Sequence, residues 1–177
     1  MPDDPNQSSA PAPARRLSLL RHGLAVPHGT EGFEDDDRPL TERGERRARQ
    51  VARGLKRLGL KLDRIVTSPL PRASRTAEIV ADVLDAAYLI EESDALRPGA
   101  ATESIRDWLA GRPERRVMLV GHNPNLSELL ALLVTGRAKP VLCELRKAGF
   151  AALRDDPSGR YHVDWIARPR LVRRLSD

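Results

Sequence analysis

Two patterns of apolar and polar positions share this chain. Short unbroken apolar runs stop abruptly at polar residues, and longer stretches repeat apolar residues every three or four positions. Leu17-Ser18-Leu19-Leu20 is a run of the first kind, ended by Arg21-His22-Gly23. It is too short for an amphipathic helix and reads as a strand buried on both faces. Arg64-Ile65-Val66-Thr67 and Arg116-Val117-Met118-Leu119-Val120 read the same way, and Ala87 to Ile90 predicts a further strand at or near an edge. Helical spacing predicts a helix from Glu42 to Leu58, capped by Thr41 and closed by Gly59, with Ala48, Val51, Ala52, Leu55 and Leu58 as its buried stripe. A second helix is predicted over Arg72 to Ala86, with Ala77, Val80, Val83 and Leu84 inward. Thr102 is expected to cap a short helix burying Ile105, Trp108 and Leu109, and Pro124 to open one running from Asn125 to Val134. Leu142 to Leu153 reads as one or two strands, Asp155 to Gly159 as a turn, and Tyr161 to Ile166 as the return strand of a hairpin. Arg168 to Arg174 is left as a basic tail.

Strands alternating with helices predict an α/β protein, a three-layer α/β/α sandwich on a mostly parallel sheet. With 177 residues, one domain over residues 15–177 is expected. Residues 1–14 are rich in Pro, Ala and Ser and lack an apolar segment, so they read as a disordered tail. No apolar run approaches the roughly 20 residues of a membrane span. The single cysteine, Cys143, excludes an intrachain disulfide and fits a reducing compartment, which points to the cytoplasm. The formal charge of +5 comes mostly from arginine, yet acidic residues are interleaved with it, so solvated helix faces explain most of it without a nucleic-acid partner.

In a parallel sheet the carboxyl ends of the strands share one edge, where ligands gather. Three such ends carry unusual polar residues: Arg21-His22, Ser68 with Arg72, and His122. Packing does not explain two histidines and two arginines on one edge. Paired guanidiniums grip a tetrahedral anion by bidentate hydrogen bonds, and phosphate fits best. One imidazole can attack phosphorus and the other, protonated, can steady the oxygens. The amide of Asn123, at a helix start, adds a donor. Such chemistry needs positioning and charge rather than a metal or cofactor. Other phosphate machinery is missing. There is no glycine-rich nucleotide loop, and Gly149 rather than Arg stands six residues after Cys143. Cys143 therefore reads as buried, the acidic triplet Asp35-Asp36-Asp37 as solvated loop, and His28 and His162 as unrelated to a metal site.

Leu20-Arg21-His22-Gly23, Arg38-Pro39-Leu40-Thr41-Glu42-Arg43-Gly44, Thr67-Ser68-Pro69-Leu70-Pro71-Arg72-Ala73 with Thr76-Ala77, and Val120-Gly121-His122-Asn123-Pro124 together resemble the histidine phosphatase superfamily, the phosphoglycerate mutase-like clan. Length and motif order most resemble its SixA branch of phosphohistidine phosphatases. The resemblance implies that His22 is the phosphorylated nucleophile and that Arg21, Arg72 and His122 form the phosphate pocket. Ser68 shapes that pocket or caps its strand, and Gly44 permits close backbone packing. Many esterases and mutases of the clan carry an acidic residue on an inserted loop to protonate an alkoxide. Here the corresponding stretch is short, and Glu91, Glu92, Asp94 and Glu103 are candidates only by proximity in sequence. An alkoxide needs that proton more than an imidazole does, so phosphohistidine on a protein is the favoured substrate. The alternatives are a small sugar or nucleotide phosphate and a non-catalytic module binding phosphate or nucleic acid. Whether Arg38, Arg97 and Lys147 reach the pocket is left open.

Overall fold

The computed structural model describes residues 14–176. The tail expected over residues 1–14 therefore lies, up to residue 13, outside the described residues. Six strands form one sheet in the order β3-β2-β4-β1-β5-β6. They are β1 Arg16–Arg21, β2 Arg64–Thr67, β3 Ile90–Glu92, β4 Arg116–Gly121, β5 Phe150–Asp155 and β6 Tyr161–Ala167. Strands β3, β2, β4 and β1 run parallel, while β5 and β6 add an antiparallel margin beside β1.

Helices cover both faces, which is why the central strands are apolar without alternation. α1 (Glu42–Arg57), α2 (Pro71–Val83) and a short α5 (Pro169–Arg173) pack Val51, Leu55, Val80 and Val172 against Leu20, Ile65, Met118 and Phe150. α3 (Thr102–Ala110) and α4 (Asn125–Thr135) bring Ile105, Leu109, Leu126 and Leu130 to Leu17, Leu19, Val66 and Leu119 on the opposite face. The sandwich with its mostly parallel sheet is thus the architecture that the alternating pattern predicts.

Several element boundaries differ from expectation. α1 stops at Arg57, and Leu58, its C-cap, is 53% exposed rather than part of the buried stripe. Thr41 does cap α1, accepting a hydrogen bond from the Gly44 amide at 3.0 Å. α2 ends at Val83, after which Asp85 takes a left-handed conformation at φ 56°. The segment Ala87–Leu89 is a 3-10 turn, and the edge strand starts only at Ile90. Ala101 rather than Thr102 caps α3; Thr102 is its first residue and donates its hydroxyl to Glu128. Pro124 is the residue that caps α4, one position before the helix. Of Leu142 to Leu153, only the part from Phe150 onward is strand. The rest is a loop whose backbone serves the site described below. The expected basic tail contains α5, because Val172 buries its side chain against α1 at Gly54. Cys143 is half-buried, and burial raises its thiol pKa.

Candidate active site

β1, β2 and β4 end at one height, with Arg21 level with Gly121 and Thr67 level with Val120. The chain beyond each end bends across this edge. The His22 amide donates to Gly121 O at 3.0 Å, the Ser68 amide to Val120 O at 3.0 Å, and the Ala148 amide to the carbonyls of Arg21 and His22, both at 3.0 Å. The side chains that follow are therefore fixed by backbone hydrogen bonds on a rigid sheet. His22 and His122, both buried, bring their ring centroids to 5.1 Å.

Because a carbonyl only accepts, the 2.8 Å contact from His22 Nδ1 to Gly23 O makes Nδ1 the protonated nitrogen. Nε2 keeps its lone pair. Burial, then the charge of His122 and the flanking guanidiniums, holds the His22 pKa down to about 3. His122 is lowered to about 3 as well, by burial first and then by Arg72, Arg21 and Arg38. Its Nε2 lies 2.9 Å from Ser68 Oγ, and the Ser68 side chain is fully buried.

The two guanidiniums are tethered in the same manner. Arg21 Nη1 donates to Leu145 O at 2.8 Å, and Arg72 Nη1 donates to Asp35 O at 2.8 Å and Asp36 O at 3.3 Å. Each leaves a buried Nε with no hydrogen-bond partner. An unsatisfied buried donor is costly, and two on arginines flanking a histidine pair call for an acceptor of opposite charge. Burial lowers both guanidinium pKa values, yet arginine keeps its proton in proteins. Asn123 Nδ2 donates one of its two hydrogens to Leu145 O at 3.0 Å. Leu145 O thus accepts from Asn123 and Arg21 together.

Other groups named from the sequence fall at different distances. The loop between β1 and α1 lies beside the site, and Arg38 holds it there by donating to Val26 O at 2.6 Å and to Asp35 Oδ1 at 2.8 Å. The charge of Arg38 acts on His122 and Arg72, so it belongs to the site's electrostatic surroundings. Asp35-Asp36-Asp37 is not merely solvated loop, because two of its carbonyls hold Arg72. Lys147 is exposed, with its charge acting against Arg21, Arg38 and Arg72. Arg97 pairs with Asp94 at 2.6 Å and Asp36 at 3.7 Å. Among the acid candidates, Glu91 is committed to Arg112 through two contacts of 2.7 and 2.6 Å. The carboxylates acting on the site come from elsewhere: Asp35 on His122, Asp35 and Asp36 on Arg72, and Glu144 on Arg21. His28 faces Asp35 at 3.5 Å, and His162 faces Asp156 at 2.8 Å.

Sequence reasoning assigned no role to Thr76 or to the Leu145 carbonyl. Thr76 Oγ1 accepts from the Gly23 amide at 2.9 Å and donates to Arg72 O at 2.7 Å, linking the histidine loop to the arginine helix. The Thr76-Ala77 pair had been legible as a motif; a backbone carbonyl carries no signature.

Residues 17–98 match the model of the histidine phosphatase superfamily, branch 1. An uncharacterized protein of Picosynechococcus is 38% identical over 141 residues, covering 78% of this chain and 84% of the relative. The phosphohistidine phosphatase SixA of Escherichia coli is 27% identical over 157 residues, covering 87% and 94%. The solved structure of a protein histidine phosphatase SixA complexed with tungstate superposes with a TM-score of 0.77 at 26% identity, covering 89% of this chain and 99% of that one. Likeness of fold extends to a mycobacterial glucosyl-3-phosphoglycerate phosphatase, with a TM-score of 0.64 at 22% identity. The protein is a phosphatase, and the chain belongs to the histidine phosphatase superfamily, on its SixA-type branch.

Proposed function

We propose that this phosphatase removes phosphate from phosphohistidine on a protein, through a covalent intermediate on His22. The observation that carries the nucleophile is the tautomer: Nδ1–H points to Gly23 O and Nε2 keeps a free lone pair. In the first step the Nε2 lone pair forms the bond to phosphorus and the bond from phosphorus to the substrate's ring nitrogen breaks. That ring, already protonated on its other nitrogen, leaves as neutral imidazole. In the second step water attacks phosphorus, the Nε2–P bond breaks and returns its pair to Nε2, and both protons of the water leave on the dihydrogen phosphate, while Nδ1 keeps its proton throughout. Arg21 and Arg72 would each turn Nε to the transferring oxygens, where fixed charge stabilises the transition state. His122, charged once a phosphoryl dianion offsets the guanidiniums, would donate to a third oxygen. Ser68 orients His122, and Asn123 steadies the Leu145 carbonyl that holds Arg21 while keeping a second amide hydrogen for phosphate.

The N–P substrate is favoured because the described carboxylates that act on the site are engaged by arginines rather than held as protonated acids. Asp35, Asp36 and Glu144 are each paired with an arginine, and the hydrogen bond from Arg38 holds Asp35 below the usual carboxylate range. The similar SixA structure carries tungstate, a tetrahedral oxyanion of the kind this pocket would hold. The lone Cys143 suits a reducing compartment, which makes the cytoplasm the fitting location. One feature favours a small phosphate ester instead, the Asp35 carboxylate near His122. Phosphohistidine and a panel of sugar and nucleotide phosphates should be assayed with wild type, His22→Ala and Asp35→Asn. We expect His22→Ala to abolish turnover and acid-labile phosphate on the protein, and Asp35→Asn to spare phosphohistidine hydrolysis. Turnover surviving in His22→Ala would overturn the mechanism. Strong ester activity that depends on Asp35, with none on phosphohistidine, would overturn the substrate.

A further inference from the structure

The fold treats the two sides of α1 differently. On one side Arg46 pairs with Glu42, Arg49 with Asp82 and Lys56 with Asp85. On the side that α5 covers, Arg43 and Arg47 have no carboxylate within ion-pair distance among the described residues. The charged neighbours of Arg47 are Arg43 and, across from it on α5, Arg173. The helices are too close here to dilute that charge, since Gly54 of α1 touches the Val172 backbone. The row continues past α5. Arg168, its N-cap, shares a cleft with Arg146, and Arg146 is a charge neighbour of Arg21. Lys147 follows at the mouth of the site. A cationic band therefore runs from the first turns of α1, over α5, to the pocket. Glu144 interrupts it only to pair with Arg21 at 3.7 Å.

We propose that this band is a docking surface for an acidic protein, which it holds with the phosphorylated histidine over His22. The inference rests on the phosphohistidine reading above. Like charges gathered on a folded surface repel one another, and an anionic partner converts that repulsion into steering and affinity. Protein is a better fit than single-stranded nucleic acid, because the band carries no aromatic ring for bases to stack on. Phe150 and Trp165, the aromatic rings nearest to it along the chain, are stacked on each other at 4.7 Å instead.

The test compares kcat/KM for free phosphohistidine with that for a small acidic protein phosphorylated on histidine by phosphoramidate. It uses wild type, the triple variant Arg43→Gln/Arg47→Gln/Arg168→Gln, and a control, Arg46→Gln/Arg49→Gln/Lys56→Gln, that removes the same charge from the paired side. We expect the band variant to lose about ten-fold on the protein substrate and nothing on free phosphohistidine. The protein's advantage in wild type should shrink between about 50 mM and 200 mM salt. Equal losses in the control variant, or no loss in the band variant, overturn the docking surface while the substrate reading stands. Tighter binding of an RNA oligonucleotide than of the acidic protein, lost in the band variant, also overturns it and assigns the band to nucleic acid. No cleavage of phosphohistidine by wild type, either free or on the protein, overturns the substrate reading and this inference with it.

Discussion

His22 and His122 stay neutral far below the pH at which an exposed imidazole charges, and the consequence for stability has a definite sign. In the unfolded chain both titrate near 6.5, whereas in the folded protein both are held down to about 3. As pH falls through 6.5 the unfolded state takes up protons that the folded state refuses, so stability is full above that pH and declines toward 3. Between pH 7 and pH 5 the decline is about 2 kcal/mol per histidine. Urea midpoints at the two pH values should therefore shift in wild type and shift much less in His22→Gln/His122→Gln. Equal shifts would mean that the rings titrate normally. These histidines and both arginines were legible as residues because each interrupts an apolar pattern at a strand end or just beyond one. Their partners were not. The Asp35, Asp36 and Leu145 carbonyls hold the guanidiniums, and any residue type supplies a carbonyl.

At the level of elements, two glycines of α1 mark where other segments press against it. A Cβ on Gly44 would collide with Leu24 O, two residues after His22, and a Cβ on Gly54 would collide with Val172 O on α5. Gly44→Ala and Gly54→Ala are each expected to destabilise the fold by about 1–3 kcal/mol through overpacking. Only Gly44→Ala should also lower kcat, because it displaces the backbone that carries the His22 loop. Denaturant unfolding beside phosphatase assays checks both, and a matching loss of kcat in Gly54→Ala would disprove the distinction. α1, β4 and α4 were readable because their apolar residues keep strict spacing. α5 was hidden in a basic stretch where Val172 alone is buried and Pro169 alone signals a helix start. The edge strand was misplaced for a related reason. Three residues hold it, and Ala87–Leu89 differs from a strand only in its backbone turn.

Across the whole molecule, the alternation of strands and helices fixes the class of architecture but not which strand lies beside which. Strand order is set by pairing between distant segments, and no local pattern encodes it. That order places β4 between β2 and β1, so β1 and β2 share no hydrogen bonds in the sheet. A nascent chain emerging from the ribosome therefore holds both strands apart until residues 116–121 arrive to join them. Long-range pairing of this kind is slow to form and leaves strand edges exposed meanwhile. A truncated chain ending at residue 115 should show no cooperative unfolding and no protected amides in β1, whose partners β4 and β5 both lie beyond the cut. Protection in β1 would refute this order of events. The insertion of β4 also brings His122, so translation joins the parallel strands and delivers the second imidazole in a single stroke, and no earlier folding intermediate can hold phosphate between two rings.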